Sequence, residues 1–192
     1  MSTLLKFVTI DPSLRNFGIG TGTIDLADET LPINMAHIEL VSTETDKSSR
    51  KVVRRNSEDL ERARTLYRGA RRLAAGASIM FVEVPVGSQS ARSMASYGIC
   101  IGLIASLSDI PIIEVTPAEV KLSAVGNKTA SKREMIAWAS ELYPDLPWHQ
   151  GKSGLADKNE HLADAIGAVH AGVLTEEFAR LAVVFRLRSV AA

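Results

Sequence analysis

Short apolar runs separated by polar stretches dominate the first forty residues. Residues 4–10 form one such run, which closes on Asp11-Pro12, where the proline forces an extended or turn conformation. Residues 17–24, rich in Gly and Thr, read as an antiparallel partner reached through a turn at 12–16. Residues 25–32 are polar and read as a loop, and 33–41 as a third strand. The polar and charged stretch 43–51 is the best candidate for a mobile connection. From Arg55 to Ala75 the period becomes helical, through Leu60, Ala63, Leu66, Tyr67, Ala70 and Leu73, with Asn56 or Ser57 placed to cap the start.

The second half alternates the two periods. Residues 79–84 have the continuous apolar character of a buried strand and stop at Pro85. Residues 88–107 read as a helix whose Ala91, Ala95, Gly98 and Gly102 would let another backbone approach closely. A short strand follows at 112–115. Thr116-Pro117-Ala118-Glu119 then carries a helix start, with Thr as cap, Pro at the first position and Glu completing a capping box. Ser131 and Glu134 repeat the signal for a helix over 131–142. Residues 143–155 hold prolines and glycines and read as a loop, and a last helix runs from Asn159 to Glu177 or beyond. Strands first, then alternating helices and strands, predict an α/β fold with a mixed sheet. With no repeat, low-complexity tract or linker, residues 1–192 read as a single domain.

Composition narrows the class. The chain is 46% hydrophobic and 23% charged, ordinary values for a soluble protein, and has no twenty-residue apolar stretch or signal-like start. Its single cysteine, Cys100, has no internal disulfide partner, so a cytoplasmic location is expected and no membrane partner. The net charge is zero, yet between Arg50 and Arg72 nine basic residues, Arg54 and Arg55 among them, face only Glu58, Asp59 and Glu61. Such a local excess is able to neutralise several phosphates, though it equally describes a solvated helix face.

The candidate chemistry lies in four side chains. Asp11 closes the first apolar run and Glu83 sits within the 79–84 run, among Phe81, Val82, Val84 and Pro85. A carboxylate buried there carries a large desolvation cost unless a cation stands beside it. His161 and Asp164 are three apart, so they share one helix face, with Glu160 and Asp157 near the same side. Oxygen-rich donors select magnesium, or manganese, over zinc. Two such ions about 3.5–4 Å apart activate a water and stabilise a leaving oxygen in phosphoryl transfer. On that reading Asp11 bridges the ions, Glu83 and Asp164 each hold one, and His161 is a further ligand or a proton handler.

Val8-Thr9-Ile10-Asp11-Pro12-Ser13, then Val82-Glu83, then the Lys121 and Lys132 segments, then His161-Leu162-Ala163-Asp164-Ala165 together resemble the RuvC-type Holliday-junction resolvases. The resemblance spans residues 4 to about 172 in the family's order and at similar spacing. It implies an RNase H-like fold with a five-stranded mixed β-sheet flanked by α-helices. It also implies a homodimer, and magnesium-dependent paired nicking of branched DNA at a four-way junction. The same resemblance casts Lys121 and Lys132 as DNA-contacting lysines and the 88–107 helix as a dimer element. The family's usual aromatic residue shortly after the second acid is replaced here by Pro85-Val86-Gly87-Ser88, and the 25–54 link is longer. Both differences suit a divergent branch, such as a phage-type member.

Three other readings compete. The turn at 11–20 also resembles the phosphate-binding turn of actin-like ATPases and sugar kinases, but those need a second such domain and 192 residues leave no space for it. A catalytically silent DNA-binding relative would not need Asp11, Glu83 and Asp164 together. An RNA-processing or general branched-nucleic-acid nuclease of the same fold would keep the metal chemistry and differ in substrate.

Overall fold

Alternation along the first strand decides which layer each side chain serves. In β1 (Leu4–Pro12), Leu5, Phe7, Thr9 and Asp11 point to one face of the sheet, while Val8 and Ile10 point to the other. Both faces are covered, which explains the near-continuous apolar run. A computed structural model describes residues 4–43, 55–107 and 109–191. Its sheet has five strands in the order β3-β2-β1-β4-β5. β2 (Asn16–Asp25) and β3 (Ile33–Ser42) follow β1 antiparallel, and β4 (Ile79–Glu83) and β5 (Ile112–Val115) lie parallel beyond it. The β2–β3 ladder is broken by a bulge, since Thr21 pairs with His37 and Gly22 with Met35, leaving Ala36 unmatched.

On the Val8 face lie α1 (Arg55–Ala74) and α2 (Ala91–Ala105), through Leu66, Ala70, Cys100 and Ile104. On the Phe7 face lie α3 (Pro117–Val125), α4 (Lys132–Leu142), α5 (Glu160–Gly172) and α6 (Glu176–Ala191). Both expected capping boxes form, Thr116 with Glu119 and Ser131 with Glu134. Nine of the thirteen residues of α5 are buried, so it is enclosed on all sides rather than amphipathic. One polar contact fixes its height over the sheet: the buried Thr9 hydroxyl donates to the Ala165 carbonyl at 2.6 Å.

Replacing Thr9 with Val keeps the branched shape and removes that donor, so a loss of about 1–2 kcal/mol is expected in urea unfolding. A change within about 0.5 kcal/mol, the usual size of a neutral substitution, would show that the tether does not matter.

The structure departs from the sequence expectations at three places. The last helix is not continuous: α5 stops at Gly172, and Thr175 restarts the chain as α6. The Thr175 hydroxyl donates to the Gly172 carbonyl at 2.7 Å and accepts from the Phe178 N–H at 3.1 Å. This turn drives Phe178 fully into the core, 5.6 Å from the Phe81 ring. Helix α2 begins later than residue 88, capped by Ser90. The 143–155 loop contains a small hairpin, Gln150–Gly151 with Gly154–Leu155. Of the expected mobile connection, residues 44–51 lie outside the described residues, as does Arg54.

Candidate active site

Strand register and a glycine assemble the site. Ile10 and Val82 are the last aligned pair of the parallel β1–β4 ladder, so Asp11 and Glu83 follow one residue later on adjacent strands. Both belong to the face that α5 covers, by the same alternation that points Phe7 and Phe81 there. Across the antiparallel ladder Asp11 faces Gly18. A Cβ at Gly18 would stand 1.9 Å from the His161 carbonyl oxygen, so the first turn of α5 lies directly on the β2 backbone. That contact carries His161 and Asp164 to the strand ends. The start of α5 is held from behind by the fully buried Asn159, which accepts from the His149 N–H at 3.0 Å and donates to the His149 carbonyl at 2.8 Å.

All four expected side chains therefore converge. His161 Nδ1 lies 2.7 Å from Asp11 Oδ2, and its Nε2 faces Glu160 Oε1 at 3.7 Å. Glu160 in turn pairs with Lys132, whose side chain is otherwise exposed at the start of α4. Lys121, on α3, is near enough to pull down the carboxyls of both Glu83 and Asp164. Arg55 opens α1.

The electrostatics are those of crowded acids. Burial, then the charges of Asp11 and Asp164, push the Glu83 carboxyl up to about 9, against the pull of Lys121. Burial and the Asp11 charge push Asp164 up to about 7. Burial raises Asp11 as well and outweighs its contact with His161. For His161, burial alone would favour the neutral ring, but the Asp11 bond and the fields of Asp11, Glu160 and Asp164 together raise it. Four carboxylates, those of Asp11, Glu83, Asp164 and Glu160, thus crowd together, with the His161 imidazole and the Lys121 and Lys132 ammonium groups to offset them.

Among the described residues, the side chains as placed do not form a ready-made cluster of three metal donors. Asp11 is turned to His161 instead. The donor chemistry nonetheless fits a hard divalent cation. The buried Asp164 Oδ1 has no hydrogen-bond partner, which a lone-pair oxygen in that setting does not sustain without cost. A cation would supply the missing partner and cancel the mutual repulsion.

Sequence reasoning missed Gly18 and Thr9, which place α5, and a basic cleft beside His161. The glycines of β2 were the available signal: Gly18, Gly20 and Gly22 alternate, which marks one bare face of a strand.

No family model matches the chain. A 65-residue stretch is 42% identical to the crossover junction endodeoxyribonuclease RuvC of Chlamydia trachomatis serovar L2, covering 33% of this chain and 34% of that protein. The match therefore spans about a third of the length of the curated relative. By structure, 87% of the chain superposes on 92% of the T. thermophilus RuvC solved in complex with a Holliday junction substrate, at a TM-score of 0.63 and 17% identity. It also superposes on 77% of the yeast mitochondrial Holliday junction resolvase Ydc2, at a TM-score of 0.59 and 10% identity. The fold is the RNase H-like one of the RuvC-type resolvases, as the sequence resemblance implied.

Proposed function

We propose that this chain is a metal-dependent endodeoxyribonuclease that resolves four-way DNA junctions. One observation carries the proposal: three mutually repelling carboxylates, Asp11 buried and Glu83 and Asp164 partly so, at the ends of adjacent strands and on the facing helix, with the Asp164 Oδ1 lacking any protein partner. Such a cluster is costly to fold and serves no packing purpose. The partial identity to a crossover junction endodeoxyribonuclease and the resolvase fold support junction DNA as the substrate.

In this reading Asp11, Glu83 and Asp164 would hold two magnesium ions, or manganese in their place. The ions would supply charge neutralisation at the scissile phosphate and an activated water. His161 acts as a further donor or as the proton handler. Its Nδ1 is engaged by Asp11, which leaves Nε2 for exchange with Glu160 or water. Lys121 faces the acids and suits a phosphate held beside them. Lys132, Arg54 and Arg55 supply charge for the flanking backbone.

Paired nicks require two sites related by a two-fold axis, hence a homodimer. The outer face of α2 suits that contact. Met94 and Ile101 are about half exposed there, and a Cβ added at Gly98 or Gly102 would meet nothing within 4 Å. No helix among the described residues is long and apolar enough to cross a membrane.

A magnesium-dependent cleavage panel of four-way junctions, forks, flaps, linear duplex and RNA tests the reading. Asp11→Asn should leave junction binding intact and cut roughly a thousandfold more slowly, the equivalent of about 4 kcal/mol in the barrier. Undiminished cutting by Asp11→Asn would remove the metal assignment. Equal cutting of linear duplex and junction would make the chain a general nuclease, and preference for RNA an RNA-processing enzyme.

A further inference from the structure

Beyond the acids the surface opens into a cleft of about 370 Å³, lined by Arg15, Arg62, Arg92, Ser96, Tyr97 and His161, among others. Because His161 lines it and also touches Asp11, the cleft is continuous with the candidate active site. Its three guanidinium groups come from separate elements. Arg15 sits in the β1–β2 turn, where the Ser13 N–H donates to the Asn16 carbonyl at 3.0 Å. The Arg15 carbonyl accepts from the Thr43 N–H at 2.8 Å, so the root of this exposed side chain is pinned.

Arg62 and Arg92 are oriented by acids behind them. Arg92 makes a bidentate pair with the buried Asp59, at 2.5 and 2.6 Å, tying α2 to α1. Arg62 reaches Glu58 at 2.5 Å through one terminal nitrogen. Each pairing fixes a guanidinium plane and leaves most of its five donors unused. The Arg62 Nε–H is buried and has no hydrogen-bond partner. A buried donor of this kind costs about 1–3 kcal/mol if left unmade, and what it needs is an acceptor. Three cations against the two acids that orient them leave a net positive lining, which favours an anion in the cleft.

We infer that this cleft is a second phosphate subsite, holding a phosphodiester of the same DNA strand beyond the scissile one. Arg15 and Arg62 grip its oxygens, and Tyr97 is positioned at the wall where an adjacent base or sugar would lie. The inference rests on the nuclease reading above, and assigns to Arg15 and Arg62 the register of the strand relative to Asp11, Glu83 and Asp164.

The test uses the full chain and synthetic four-way junctions in which one phosphate at a time is a neutral methylphosphonate, stepped outward from the cleaved bond. Binding is read by fluorescence anisotropy with calcium in place of magnesium, and cleavage of the unmodified junction is followed in parallel. For the wild type, one flanking position should weaken binding about five- to tenfold. In Arg15→Gln that position should cost nothing further, because the partner is already gone. The same variant should lose roughly one unit from the slope of log affinity against log salt. Arg62→Lys keeps the charge and lacks the Nε–H, and should reduce the penalty at the same position. Identical sensitivity profiles for wild type and Arg15→Gln, with normal cleavage of the unmodified junction, would overturn the subsite and leave the nuclease reading standing. Failure of the wild type to bind or cut any junction would instead remove both.

Discussion

Replacing Glu83 with Gln should stop cleavage and, in the absence of metal, make the protein more stable. The two effects have one cause. Glu83 is held up to about 9, against an ordinary 4.5, by burial and by the charges of Asp11 and Asp164. Between those two values the folded protein retains a proton that the unfolded chain has released. Folding is therefore progressively penalised as pH rises from about 4.5 towards 9, and the penalty is absent below 4.5. Glutamine copies the protonated acid in shape and hydrogen bonding and does not titrate.

In chelator at pH 8 the variant should be more stable by on the order of 3 kcal/mol, or up to about 10 °C in thermal midpoint for a chain of this size. At pH 4.5 the two proteins should melt together. Magnesium should raise the wild-type midpoint and leave that of Glu83→Gln nearly unmoved, since ligand stabilisation scales with occupancy. Cleavage should fall roughly a thousandfold. Lower stability of Glu83→Gln at pH 8 in chelator would mean that Glu83 is usefully paired in the folded protein, contrary to the crowded-acid description.

Gly18→Ala should be the most damaging single methyl in the molecule. The added carbon would sit 1.9 Å from the His161 carbonyl oxygen and 2.3 Å from the carbonyl carbon, both of them backbone. Neither can swing aside as a side chain would, so the first turn of α5 must lift from the sheet. A loss of about 4 kcal/mol or more is expected in urea unfolding, at the extreme of single substitutions. Gly20→Ala is the natural control, because its new carbon meets the tip of the flexible Met35 side chain and the Thr9 methyl. It should cost clearly less. If the two variants cost the same, the backbone contact at Gly18 is not what seats the helix.

The four candidate residues, whose side chains the fold brings together, were legible because each sits where sequence pattern and geometry coincide. Asp11 ends an apolar run and Glu83 is the one acid within another, while His161 and Asp164 share a helix face at a spacing of three. The capping boxes at Thr116 and Ser131 were legible for the same reason, as local chemistry with a fixed offset. The division of the last helix was not, although Thr175 followed by Glu176 and Glu177 is a serviceable start signal. What forces the break is the burial of Phe178 against Phe81, a contact between residues almost a hundred positions apart. The arginine cleft escaped notice for a similar reason. Arg15, Arg62 and Arg92 belong to a turn and two helices, and only the packing of α1 and α2 on the sheet makes them neighbours.

The bulge at Ala36 bears on how copies of this chain would meet in the proposed dimer. Among the described residues, β3 is a ten-residue strand at the border of the sheet, long enough to template a foreign strand along its outer side. The irregularity between Thr21 and Gly22 kinks the ladder midway. Just beyond it stand His37 and Glu39, the latter tied to Arg72 of α1 at 2.5 Å. A neighbouring strand would find neither a straight row of amides nor an uncharged border. Association through the sheet is disfavoured on that side, which leaves the proposed two-fold pairing to the helices, where it closes after two copies instead of growing into a fibre.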